Sequence, residues 1–125
     1  LEGGFTFLTD VERHLWVVLS DPSQDAERVV IVSITTLAPH KEQTCILRRG
    51  SHPWVTHDSC VAFGFARIVR LTTLVEARYK GLLRLQEPLS PALLDLIRKS
   101  AANSTGLPIE AADILIDQGL LDLSE

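Results

Sequence analysis

Four histidines, a pair of adjacent threonines and several arginines are the side chains of this sequence with chemistry to offer. His14, His40, His52 and His57 have neither helical nor Cys-x-x-Cys spacing, so they do not read as a metal site and no cofactor is expected. His57-Asp58-Ser59 contains the residue types of a nucleophilic triad. Sequence neighbours seldom converge in that way, and no strand-turn-helix elbow surrounds Ser59. A groove is the better reading of this region: Arg48, Arg49, His52 and His57 contact phosphates while Trp54 offers a stacking face to a base. Trp54, following Pro53 in an apolar stretch, also fits a core position. Histidine changes charge near neutral pH, which suits His14 to an acid or base role. Thr35-Thr36 places two small hydroxyls at the end of a strongly apolar run, just ahead of a loop holding His40 and Lys41.

These residues must be positioned by strands. The segments Leu15 to Leu19 and Val29 to Ile34 are rich in β-branched residues, and Asp21-Pro22 between them favours a turn, so a hairpin is predicted. Residues 5-13 are expected to form a short irregular or edge strand, with Phe5, Phe7 and Val11 covering one end of a barrel. Thr44 to Leu47 reads as a short strand, Arg48 to Ser51 as a turn, and His52 to Val55 as an extended piece, because a residue before proline is pushed toward β geometry. Ser59 to Thr72 reads as one long strand, with Gly64 marking a bulge or bend. Several short strands with a bend in the longest predict a mainly β (α+β) fold, a small SH3-like β-barrel.

The last third changes period. Ser90 caps a helix starting at Pro91, and Leu93, Leu94, Ile97 and Ala101 share one face. A second helix is predicted from Pro108 to a stop at Gly119, with Glu110, Asp113 and Asp117 on an acidic outer side. At 125 residues a single domain is expected, with the barrel and packed helix over 1-106 and a short acidic helical extension over 107-125.

Hydrophobic residues at 46% and charged residues at 22% give the balance of an ordinary globular protein. No apolar run approaches the roughly 20 residues that span a bilayer, and no stretch reads as a secretory signal. Cys45 and Cys60, inside apolar segments, read as buried free thiols, and a cytoplasmic setting is the expectation. The net charge of -4 excludes a uniformly basic nucleic-acid binder, but its distribution is uneven. Residues 28-84 carry nine Lys or Arg against three acids, while the flanks are acidic. Basic charge concentrated in this way attracts phosphate even when the total is negative. The other reading is a solvated face balanced by the acidic ends.

The order of the pieces resembles the MazF/PemK-like toxins, small barrel ribonucleases of toxin-antitoxin systems. VVLSDP (17-22) is similar to that family's strand ending in Leu-Ser and a proline, and VIVSITT (30-36) to the strand ending in Thr-Thr or Thr-Ser. TCILRRG (44-50) sits where the family has a short strand and glycine turn. HDSCVAFGFARIVRL (57-71) and LLRLQEPLSPALLDLIRKS (82-100) resemble its long strand and its closing strand with helix.

The resemblance, over roughly residues 14-103, implies a metal-independent, sequence-selective endoribonuclease acting on single-stranded RNA such as mRNA. It further implies a homodimer neutralised by an antitoxin protein. It makes Thr35 or Thr36 a hydrogen-bond donor to phosphate, and Arg13 or protonated His14 the cation. The family's arginine-proline pair would fall on His14-Leu15, with Arg13 one residue early. The alternative is a non-catalytic barrel that binds RNA or protein. A further expectation is that the acidic helix from Pro108 folds over the basic groove as a built-in blocker.

Overall fold

The computed structural model describes residues 1-9 and 14-121. Its elements are β1 (Thr6–Thr9), β2 (Leu15–Val18), β3 (Val29–Thr36), β4 (Ile46–Leu47), β5 (Ser59–Val69), α1 (Leu71–Tyr79), β6 (Leu83–Gln86), α2 (Pro91–Ala101) and α3 (Ile109–Asp117). The strands form one antiparallel sheet in the order β4-β5-β3-β2-β1-β6, curled into a half-barrel and accompanied by the three helices. The molecule is thus a small α+β protein with a barrel-like sheet, as the strand pattern predicts.

The predicted hairpin is β2-β3, with Leu15 opposite Ile34 and Val18 opposite Ile31. Its connection is held by Asp21, whose Oδ1 accepts the Ser23 backbone N–H at 3.0 Å and the Ser23 hydroxyl at 2.7 Å. An aspartate that binds the backbone two residues on fixes a turn without help from the rest of the fold. Buried Ser20 then accepts the Val30 N–H at 2.9 Å, closing the hairpin without an orphaned donor.

Alternation sends β2 and β3 side chains to both faces, and both faces are covered. Leu15, Val17, Val30, Val32 and Ile34 pack with Phe63 of β5, Leu93 and Ile97 of α2, and Ala111, Ile114 and Leu115 of α3. Trp16, Val18, Val29 and Ile31 pack on the opposite side with Phe7, Leu83 and Leu74 of α1. Burial on both faces explains why these strands read as continuous apolar runs. Each such large side chain stabilises by roughly 1.5–3 kcal/mol. The second face is covered only part-way along, and beyond Ile31 it carries Ser33 and Thr35 and opens into a cleft.

α2 starts where predicted, with the Ser90 hydroxyl accepting the Leu93 N–H at 3.2 Å and Pro91 in the first helical turn. α3 ends ahead of Gly119, whose φ of +71° suits glycine. The β5 bend is also present. Ile31 pairs with Arg67 and Ser33 with Ala62, so Phe63, Gly64, Phe65 and Ala66 lie opposite the single Val32.

Several expectations are corrected. β1 is not an edge strand, since it pairs with β2 on one side and β6 on the other. Val11 lies outside the described residues. The long strand ends at Val69, and α1 begins two residues later. Only Leu74 of that helix is buried, so no apolar stripe announces it, while Thr72 and Thr73 read as strand residues. His52 to Val55 is a turn rather than an extended piece, with the Val55 N–H donating to the His52 carbonyl at 2.9 Å. α3 is a core element on the Val30/Val32/Ile34 face with its acids exposed, and it lines neither cleft described below. It therefore does not block a basic groove here. No helix among the described residues is long and apolar enough to cross a membrane.

Candidate functional site

Antiparallel pairing brings three chain segments to one end of the sheet. Leu15 lies opposite Ile34, which sets His14 beside the end of β3, and Thr36 lies opposite Ser59, which sets His57 beside Thr36. The result is a cleft of about 390 Å³ lined by His14, Thr35, Thr36, Trp54 and His57 among others. Five of the nine side chains singled out from the sequence therefore converge, though they are spread over more than forty positions of the chain.

The polar network of the cleft is explicit. His57 Nε2 lies 2.9 Å from the Thr36 hydroxyl, and its Nδ1 lies 3.3 Å from the Thr56 hydroxyl. A hydroxyl can donate or accept, so both contacts persist whether the ring is neutral or protonated. Lys41 Nζ donates to the Thr35 hydroxyl at 2.8 Å and to the Thr36 carbonyl at 2.9 Å. An ammonium has three N–H donors. The third has no partner among the described residues, and Lys41 lines the adjoining larger cleft rather than this one.

Arg48 and Arg49 line neither cleft. Asp58 accepts the Arg48 guanidinium at 3.1 Å and the Arg49 backbone N–H at 3.0 Å. The Arg49 backbone donor, then Arg48, hold its carboxyl below the usual carboxylate range. Both arginine side chains are exposed, and Asp58, which Arg48 and the Arg49 backbone hold, adjoins His57 in the chain.

The chain matches no protein-family model and no curated protein.

His52 does not join the site. It is only 3% exposed, its Nδ1 accepts the Trp54 N–H at 3.1 Å, and its Nε2 meets the Glu87 carbonyl. Because the Trp54 N–H must donate, Nδ1 is the bare nitrogen and Nε2 carries the proton. His52 is thereby a structural tie that leaves no nitrogen for a phosphate. Trp54 meets both of its readings, being half-buried against the main core and also lining the cleft. Arg13 lies outside the described residues. Cys45 and Cys60 are buried free thiols whose pKa burial pushes up, so neither is a ready nucleophile. Among the described residues, no three His, Cys, Asp or Glu side chains gather as metal ligands.

From the sequence, Lys41 is one of nine basic residues in the middle of the chain and a member of the loop after Thr35-Thr36, with no role assigned to it. The signal that would have singled it out is its place two residues past Pro39, in the short loop that turns back on Thr35-Thr36.

Proposed function

We propose that the protein is a metal-independent endoribonuclease of the MazF-like kind, acting on single-stranded RNA at the His14/Thr36/His57 cleft. The observation that carries this reading is the convergence of two histidines, two threonine hydroxyls and an aromatic face on one cleft, with Lys41 of the adjoining larger cleft tied to the shared Thr35. RNA cleavage by its own 2′-hydroxyl needs a base to take that proton, an acid to protonate the departing 5′-oxygen, and a cation for the charged phosphorane. One histidine takes the 2′-hydroxyl proton while the 2′-oxygen attacks phosphorus. The other, protonated, donates to the 5′-oxygen as the P–O5′ bond breaks, leaving a 2′,3′-cyclic phosphate and a 5′-hydroxyl. Lys41 directs its remaining N–H to a non-bridging phosphate oxygen, and Trp54 stacks on an adjoining base. The resemblance extends the proposal to a homodimer restrained by an antitoxin protein in a bacterial cytoplasm.

The test is cleavage of single-stranded RNA in EDTA, with the cyclic phosphate identified by mass spectrometry. His14→Ala and His57→Ala are each expected to slow the wild-type reaction by about 100- to 10,000-fold. RNA binding without cleavage by the wild type anywhere between pH 5 and 9 would refute the enzyme and leave an RNA-binding module.

A further inference from the structure

α1 and α3 cover opposite faces of the sheet, α1 through Leu74 on the Trp16/Val18/Ile31 side and α3 through Ala111, Ile114 and Leu115 on the Val30/Val32/Ile34 side. Each buries one flank and leaves apolar side chains in solvent on the other. On α1, Leu71, Val75 and Tyr79 recur every fourth residue along a groove of about 400 Å³, and Tyr79 is 92% exposed. On α3, Ile109 is 80% exposed, and Ile116, also exposed, follows about two turns later.

Charge separates the two surfaces. Residues 70-84 hold Arg70, Arg78, Lys80 and Arg84 against the single acid Glu76, whereas α3 holds Glu110, Asp113 and Asp117 and no base. Arg70 lies 3.5 Å from Glu27, and Lys80 lies 2.8 Å from Glu76. Arg78 and the three α3 acids make no ion pair among the described residues. The acids burden the helix that bears them. Like charges three and four residues apart repel, and Asp117 stands in the last turn, at the negative end of the helix dipole. A cationic partner relieves both costs.

We infer that the outer face of α3 docks on the outer face of α1 of a second copy of this chain. Ile109 and Ile116 enter the groove of Leu71, Val75 and Tyr79, and the α3 acids meet Arg78 and its basic neighbours. At a rise of 1.5 Å per residue the two isoleucines stand about 10.5 Å apart and the groove runs about 12 Å, so the apolar ridges match in length. Because the two surfaces lie on opposite faces of the sheet, two copies cannot exchange both contacts at once. The contact is therefore head-to-tail, and every added copy presents a fresh surface at each end. It is separate from the proposed homodimer and does not depend on the RNA reading.

The test is sedimentation velocity of the full chain over a wide range of concentration, in about 0.1 M and about 1 M NaCl, where charges are screened beyond about 10 Å and 3 Å. The mean mass is expected to grow with concentration at low salt and to fall back at high salt. Two double variants divide the contact: Arg78→Glu with Tyr79→Ser on α1, and Ile109→Ser with Asp113→Lys on α3. All four positions are exposed, so both variants keep the wild-type fold. Each should weaken the growth by about tenfold or more in Kd. Mixing the two restores association that neither shows alone, since one keeps its α3 face and the other its α1 face. A face that paired with its own copy could not give that rescue. Mass independent of concentration and salt, growth that survives both variants, or growth lost in a variant and not rescued on mixing would overturn the inference. RNA cleavage is read on the same samples. Its absence with assembly intact removes the enzyme and leaves the contact, and cleavage without assembly does the reverse.

Discussion

His52 offers a direct trial of the assignment of structural and functional histidines. Its ring bridges the Trp54 N–H and the Glu87 carbonyl, pinning the 50–55 turn to the segment after β6. His52→Ala removes two neutral hydrogen bonds worth about 0.5–1.5 kcal/mol each. Lost ring packing adds roughly 1 kcal/mol. The Glu87 carbonyl keeps the Thr6 hydroxyl at 2.6 Å, so only the Trp54 N–H is orphaned. The total is about 2–4 kcal/mol.

For a chain of 125 residues, an unfolding entropy of roughly 2.1 cal/mol/K per residue converts each kcal/mol into about 4 °C of Tm. His52→Ala should thus lower Tm by about 8–16 °C in calorimetry. Two further variants divide the loss. In His52→Asn the amide oxygen stands near Nδ1 and keeps the Trp54 contact, while in His52→Gln the amide nitrogen stands near Nε2 and keeps the Glu87 contact. Each should recover about half. RNA affinity of the folded protein well below Tm should stay within a factor of about two of wild type for all three. An unchanged Tm together with a tenfold loss of RNA affinity would refute the structural assignment and return His52 to the RNA surface.

Other outcomes follow from single contacts. Thr36→Val removes the 2.9 Å partner of His57 and should reduce the cleavage rate by about 2- to 12-fold, far less than loss of the ring itself, as single-turnover kinetics would show. Ser90→Ala takes away the α2 cap and should cost about 1 kcal/mol, or about 4 °C in Tm. The carboxyls of Asp21, chiefly through Ser23, and Asp58, chiefly through the Arg49 N–H, are held below the ordinary range. Their contribution is therefore complete above pH of about 4 and is lost as pH falls further. In denaturant titrations between pH 2 and 6, Asp58→Asn should show a shallower acid loss than the wild type. Cys45 and Cys60, buried with raised pKa, should resist a thiol reagent at pH 8 until denaturant is added.

Local chemistry made part of this fold legible. The β-branched runs of β2 and β3, the Asp21 turn, Gly64 in the bend of β5, and Ser90-Pro91 at the head of α2 each carry a physical signature within a few residues. α1 carries none, because it buries one side chain and its threonines favour strand. The interior place of β1 depends on β6, more than seventy residues later, which no local pattern encodes. The site divides in the same way. His14 and Thr35-Thr36 are marked by their place at strand ends. That His57 meets Thr36 is a matter of β3-β5 register, and that His52 turns inward is a matter of what a distant carbonyl needs. Ser33 looks like an ordinary strand serine until the face it occupies is seen to be left open.

The bulge in β5 divides its ladder with β3 in two. Thr36 to Ser33 pair with Ser59 to Ala62 on one side, Ile31 to Val29 pair with Arg67 to Val69 on the other, and the slack between them carries Phe65. Residues added or removed in that slack need not shift either half, so the position of His57 against Thr36 is insulated from changes in the segment that presents Phe65. Changes in the length and sequence of one short segment can therefore be absorbed with the His57–Thr36 contact left in register.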